Sequence, residues 1–236
     1  MKETPILFTP DHIRAILEGR KTQTRRVIPP VKHPGWTGYM MSNDETHAIE
    51  CGPDYPDDES DCVRNPYGVP GDRLWVREGW KTGDKLDRFN ATEIAVKCIE
   101  AGYEKPGAPL KFLADGKEFQ FGDSDKEDFG DWGRIRSGRF MPKWVARLWL
   151  EITDVRVERV QEISAIDAMA EGICKTDYWK PKEVDGKPFE EKWWDDYEFW
   201  TRYPQIAYKG LWDSINGKKH PWSSNPWTWA LTFKRI

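Results

Sequence analysis

Gly19-Arg20-Lys21-Thr22-Gln23-Thr24-Arg25-Arg26 is the stretch on which the reading of this chain turns. Four cations, two hydroxyls and one amide fall within eight residues. They stand directly behind a short helix. Thr9 supplies its cap and Pro10 its first position, Ile13, Ile16 and Leu17 recur at helical spacing, and Gly19 closes it. The free carbonyls of a last helical turn favour positive charge. A cluster of this make-up suits phosphate, carboxylate or a nucleobase edge; a solvated basic turn is the plain alternative. Hydroxyls at alternate positions favour the former, because a merely solvated face does not need them. Pro5 to Phe8 reads as a strand before the helix, and Arg25 to Ile28 as a strand after it, ended by Pro29-Pro30.

Further along, residues 31–69 are rich in Gly, Pro, Asp and Asn without periodicity and read as a long surface insertion. His33, His47, Cys51 and Cys62 lie in it, but they lack the paired spacing of a zinc site, so no metal and no cofactor is expected. Arg73 to Glu78 alternates as a strand, with Leu74 and Val76 on one face and Trp75 and Arg77 on the other. Ile94 to Ile99 reads as another strand. Residues 100–139 form a second polar insertion, whose acidic run from Asp123 to Asp128 reads as a solvated loop. Arg147 to Val160 is a strand long enough to bend around a barrel. Ser164, with Asp167 three residues on, caps a short helix closed by Gly172, and Glu171 falls in the last turn, where the helix dipole disfavours a carboxylate. Lys180 to Asn216 fits one or two amphipathic helices with Phe199, Tyr203, Tyr208, Leu211, Trp212 and Ile215 as packing residues; Asn225 to Phe233 is the final strand. This order describes an α+β fold, a small mixed β-barrel with flanking short helices, as one domain over 1–236 with two insertions.

Composition sets the outer bounds. The chain has 236 residues, 38% hydrophobic and 32% charged, with a mean hydropathy of −0.78. No apolar run approaches a membrane span and no signal segment precedes the first strand, so a cytoplasmic protein with no membrane partner is expected. A net charge of −4 leaves nucleic acid only a local patch to bind. Fourteen tryptophans fill volume or offer stacking planes.

No Gly-x-Ser-x-Gly elbow, His-Glu-x-x-His, phosphate-binding loop or dinucleotide fingerprint is present. What remains is Lys21, an amine that crowding by Arg20, Arg25 and Arg26 pushes toward its neutral form, with the Thr24 hydroxyl three residues away and Glu171 on a distant helix end. A solvated Lys21 and a turn-capping Thr24 are the alternative.

The eight-residue stretch, together with Gly71-Asp72-Arg73-Leu74-Trp75-Val76-Arg77-Glu78, Met141-Pro142-Lys143-Trp144, Leu150 to Val155, Ala170-Glu171-Gly172-Ile173 and Asn225-Pro226-Trp227, resembles the ASCH (activating-signal-cointegrator homology) family. The likeness is to its large-loop phage and prophage members, some labelled morphogenetic proteins. The resemblance implies a PUA-like barrel that binds RNA, a nucleoside or a nucleotide in the cytoplasm of a bacterial host. Small bacterial members resembling this chain hydrolyse the amide of N4-acetylcytidine. Carried over by motif, Thr24 would attack the acetyl carbonyl, Lys21 would take its proton, and Glu171 would hold the cytosine side or assist proton transfer. Arg20, Thr22, Arg25, Arg26, Trp75, Arg77 and Glu78 become candidates for nucleotide binding. Two departures stand out: the long insertions, and Asn65 where related chains carry Cys before Pro66-Tyr67-Gly68. A non-catalytic nucleic-acid module and a phage assembly or host-interaction factor stay open beside the amidohydrolase.

Overall fold

The computed structural model describes residues 1–30, 38–42, 44, 46–51, 62–120, 128–173, 183–184, 187–188 and 203–236. In chain order these form β1 (Glu3–Leu7), α1 (Pro10–Leu17), β2 (Gln23–Val27), β3 (Gly38–Met41), β4 (His47–Cys51), β5 (Cys62–Arg64), β6 (Arg73–Arg77), β7 (Trp80–Lys81) and α2 (Ala91–Glu100). There follow β8 (Leu110–Phe112), β9 (Glu118–Phe119), β10 (Trp149–Arg159), α3 (Ala165–Ala170), β11 (Glu183–Val184), β12 (Lys187–Pro188), α4 (Pro204–Asn216) and β13 (Trp227–Arg235). The organisation is α+β. The chain divides into two compact units, neither a single stretch of sequence.

The first unit comprises Met1–Leu17, Arg73–Glu151 and Arg235–Ile236. β1 runs parallel to β6, with Pro5 opposite Trp75, and β6 runs antiparallel to the start of β10, with Trp149 opposite Trp75. α1 forms as expected: the Thr9 hydroxyl accepts from the His12 amide, and His12, Ile13, Ala15 and Ile16 are buried. β6 departs from the half-wet strand its alternation implies, for Leu74, Trp75 and Val76 are all buried. Trp75 owes part of its cover to Arg77, whose guanidinium carbon lies 4.8 Å from the ring centroid.

Ile94 to Ile99 is helix, not strand. Asn90 accepts from the amides of Thr92 and Glu93 while Glu93 accepts from the amide of Asn90, a capping box that starts α2. Only Ile94 and Cys98 are then buried, four residues apart on one helical face. The second insertion carries β8, which pairs with β7, and β9, which pairs with β8; Trp80 and Phe112 lie in a cluster with Met141 and Val145. Of its acidic run, 123–127 lies outside the described residues.

The second unit comprises Glu18–Asp72 and Ile152–Lys234. β2 pairs antiparallel with β13, Thr24 opposite Leu231 and Arg25 opposite Ala230, and β13 neighbours β10. The first insertion is not structureless: β3, β4 and β5 make an antiparallel meander, with Tyr39 and Ala48 buried. Short strands with only a few alternating residues give too weak a periodic signal to stand out among Gly, Pro and Asp. Gly38 is required there, since a Cβ would come within 2.9 Å of the Trp227 ring.

α3 begins as expected, with the Ser164 hydroxyl accepting from the Asp167 amide at 3.0 Å. α4 packs Tyr208 and Trp212 against Val160, Ile163 and Ala168. Ile215, expected to pack, is 42% exposed. The helix expected before α4 falls mostly outside the described residues, where Phe199 lies; within that span the described piece is the β11–β12 pair.

Candidate active site

Lys21 and Glu171 meet inside the second unit although 150 residues separate them. Main-chain geometry brings them together first. Gly19, at φ +77°, turns the chain out of the first helix, and the Thr22 amide then donates to the Ala170 carbonyl at 2.8 Å. Residues 21 and 171 thereby form an isolated antiparallel bridge. Glu171 caps the end of α3, and Gly172 follows at φ +76°.

The side chains complete the contact. Lys21 Nζ donates to Glu171 Oε2 at 2.7 Å and to the Glu171 carbonyl at 2.8 Å. Both side chains are buried, at 0% and 3% exposure. The carboxylate that the helix dipole disfavours is thus answered by an ammonium, which also satisfies a last-turn carbonyl. Burial lowers the Lys21 pKa below the usual lysine range; Glu171 pulls it back only in part, and Arg26 and Arg25 add to the depression.

Strand alternation sorts the rest of the stretch. Gln23 and Arg25 share one face of β2, and Thr24 and Arg26 the other. Arg25, whose side chain is fully buried, donates from Nη1 to Glu171 Oε1 at 3.2 Å and to Gln23 Oε1 at 2.6 Å. Its Nη2 pairs with Glu158 and lies 3.5 Å from Asp167 Oδ2. Burial acts to lower the Arg25 pKa, but Glu171, Tyr208 and Glu158 outweigh it and raise the value. Asp167 also accepts from Gln23 Nε2 and Arg156 Nη2, each at 3.0 Å. These donors hold its carboxyl below the usual range against the opposing effect of burial. The Tyr208 hydroxyl approaches Glu171 Oε1 at 3.4 Å, and burial pushes its pKa well up.

The sequence-predicted residues are therefore divided. Lys21, Glu171 and Arg25 are in contact. Thr24 is buried on β2, but the donors to Glu171 are Lys21, Arg25 and Tyr208, and Thr24 is not among them. Arg26 is half-buried, its pKa lowered by burial, with Tyr67 acting against that shift. Arg20 and Thr22 are exposed, and Arg20 pairs with Glu18. Trp75, Arg77 and Glu78 belong to the first unit, where Glu78 is buried and held by Arg147 through two bonds of 2.8 and 2.9 Å. Burial raises the Glu78 pKa in spite of that partner.

Gln23, Glu158, Asp167, Tyr67 and Tyr208 are the members that sequence reasoning missed. Asp167 had a signal as a cap residue and Tyr208 as a packing residue, but nothing local marks either as an electrostatic partner. Of the possible zinc ligands, His33 and the Cys51 side chain lie outside the described residues, and among the described residues no group of three metal-ligating side chains forms. A cavity of about 310 Å³ opens in the first unit beside Ile94, Cys98, Tyr103 and Phe129, and none of the predicted site residues lines it. Among the described residues no helix is long and apolar enough to cross a membrane. Compared with known proteins, the chain matches no family model, no curated protein and no solved structure.

Proposed function

We propose that this chain is an ASCH-type protein that binds an N4-acylated cytidine, as nucleoside or within RNA, at Lys21 and Glu171 and hydrolyses its amide. The observation that supports the reading most is the buried Lys21–Glu171 pair: the amine and the carboxylate selected by motif, 150 residues apart, touch at 2.7 Å. The depressed pKa of Lys21 supports a base that sheds its proton more readily than an ordinary lysine. The ammonium proton passes from Nζ to Oε2, leaving an amine and a neutral carboxyl. Thr24 Oγ then bonds to the acyl carbon as Lys21 takes the hydroxyl proton. The bond from that carbon to N4 breaks as Lys21 hands this proton to N4, and water then hydrolyses the acyl-threonine to release acetate and restore the Thr24 hydroxyl. The PUA-like barrel belongs to the same proposal, supported by the α+β organisation and the eleven-residue β10.

The stretch of residues 20–26 offers less to a polyanion than its composition implies, because Lys21 and Arg25 are buried and paired and Arg20 is engaged by Glu18. Incubation with N4-acetylcytidine, following acetate and cytidine together, tests the proposal. Lys21→Ala and Thr24→Ala are expected to lose activity by at least about a hundredfold, and Thr24→Ser to keep part of it. Equal activity in Lys21→Ala and wild type would refute the mechanism.

A further inference from the structure

We infer that Arg25 and Tyr208 are positioning residues of this site, not ligand contacts: together they pin Glu171 Oε1, so that Oε2 alone faces Lys21. It concerns the same site and rests on the reading above. A glutamate carboxylate rotates in a broad, two-fold well about its last bond, so contact with one lysine does not fix which oxygen is presented. Here the two oxygens have separate partners. Oε2 receives Lys21 Nζ at 2.7 Å; Oε1 receives Arg25 Nη1 at 3.2 Å and the Tyr208 hydroxyl at 3.4 Å.

Arg25 is itself held at both Nη atoms, by Gln23 Oε1, Glu158 and Asp167 besides Glu171, while its buried Nε has no hydrogen-bond partner among the described residues, and its guanidinium carbon lies 5.7 Å from the Tyr208 ring centroid. A guanidinium with no exposure and five neighbours has no freedom to grip a ligand. It is well placed to set the charge balance of the pair. The groups facing that pair are Arg25 and Arg26 from β2, Tyr208 from α4, Glu158 from β10 and Asp167 from α3, with Arg156 behind Asp167 and Tyr67 beside Arg26. Removing the Arg25 charge takes away a cation that disfavours protonated Lys21, so Lys21 binds its proton more tightly and the acidic limb of the rate profile, which the free base sets, moves to higher pH.

The test compares the wild type with Arg25→Gln, Arg25→Lys and Tyr208→Phe. The Lys21 titration is followed by NMR of labelled lysine side chains without substrate, and kcat and KM are followed against pH on N4-acetylcytidine. In Arg25→Gln the Lys21 midpoint is expected to rise by at least about half a pH unit, with Arg25→Lys restoring it. Tyr208→Phe, which keeps the ring, is expected to lower kcat about tenfold at nearly unchanged KM. A Lys21 midpoint unmoved in folded Arg25→Gln, or kcat and its pH profile unmoved in Tyr208→Phe, would overturn the inference. Should Arg25→Gln fail to fold, Tyr208→Phe still decides. A wild type that leaves N4-acetylcytidine intact defeats the hydrolase reading, while the substrate-free titration still judges Arg25.

Discussion

At the scale of single residues, the Lys21–Glu171 pair has unequal halves. Losing Glu171 would take from buried Lys21 the carboxylate it donates to and leave it next to Arg25, which keeps Glu158 and Asp167; losing Lys21 would leave a carboxylate that still has Arg25 and Tyr208. Breaking a buried pair from its worse side costs about 3–5 kcal/mol. Urea unfolding should therefore show Glu171→Gln losing about that much and Lys21→Met distinctly less. The pH dependence follows from the sign of the Lys21 shift. Because its folded pKa is depressed, the unfolded chain holds more protons between that value and about 10.4, so this residue's contribution to stability rises with pH across that window and is lost as pH falls back through it. Unfolding free energies measured from neutral to alkaline pH should rise less steeply in Lys21→Met than in wild type.

At the scale of elements, the sequence was most legible where a cap announced a boundary. Thr9-Pro10 and Ser164 gave α1 and α3, and with α3 the location of Glu171. The same kind of signal stands at Asn90 and Glu93, but the β-branched Ile94, Val96 and Ile99 imitate a strand beside it, and Val96 and Ile99 prove exposed. A capping box outranks a short apolar run, because it satisfies otherwise orphaned amides. Asn90→Ala should lower the stability of the first unit by about 1 kcal/mol, readable as a thermal shift, with no change at Lys21. The burial of Lys21 and Arg25 was illegible for a different reason. Nothing within ten residues of either supplies the carboxylates that make burial tolerable; Glu158, Asp167 and Glu171 arrive only through the pairing of β2 with β13 and the main-chain bridge at residue 171. Local pattern reading sees four cations and infers an exposed face, whether solvated or open to a ligand.

At the scale of the whole molecule, the acidic balance and the internal pairing of the stretch point the same way. With a net charge of −4 and part of its densest basic run buried, the protein should pass a heparin column at about 0.1 M salt, where only contacts within about 10 Å escape screening. Firm retention would favour a nucleic-acid module instead. The path of the chain carries a last implication. Sequence crosses from one unit to the other after Leu17, Asp72, Glu151 and Lys234, so both termini belong to the first unit and β10 contributes to each. No single truncation can isolate either half: a fragment ending before β13 strands β2 without its hydrogen-bonding neighbour. Dissection of this protein calls for circularly permuted or re-linked chains.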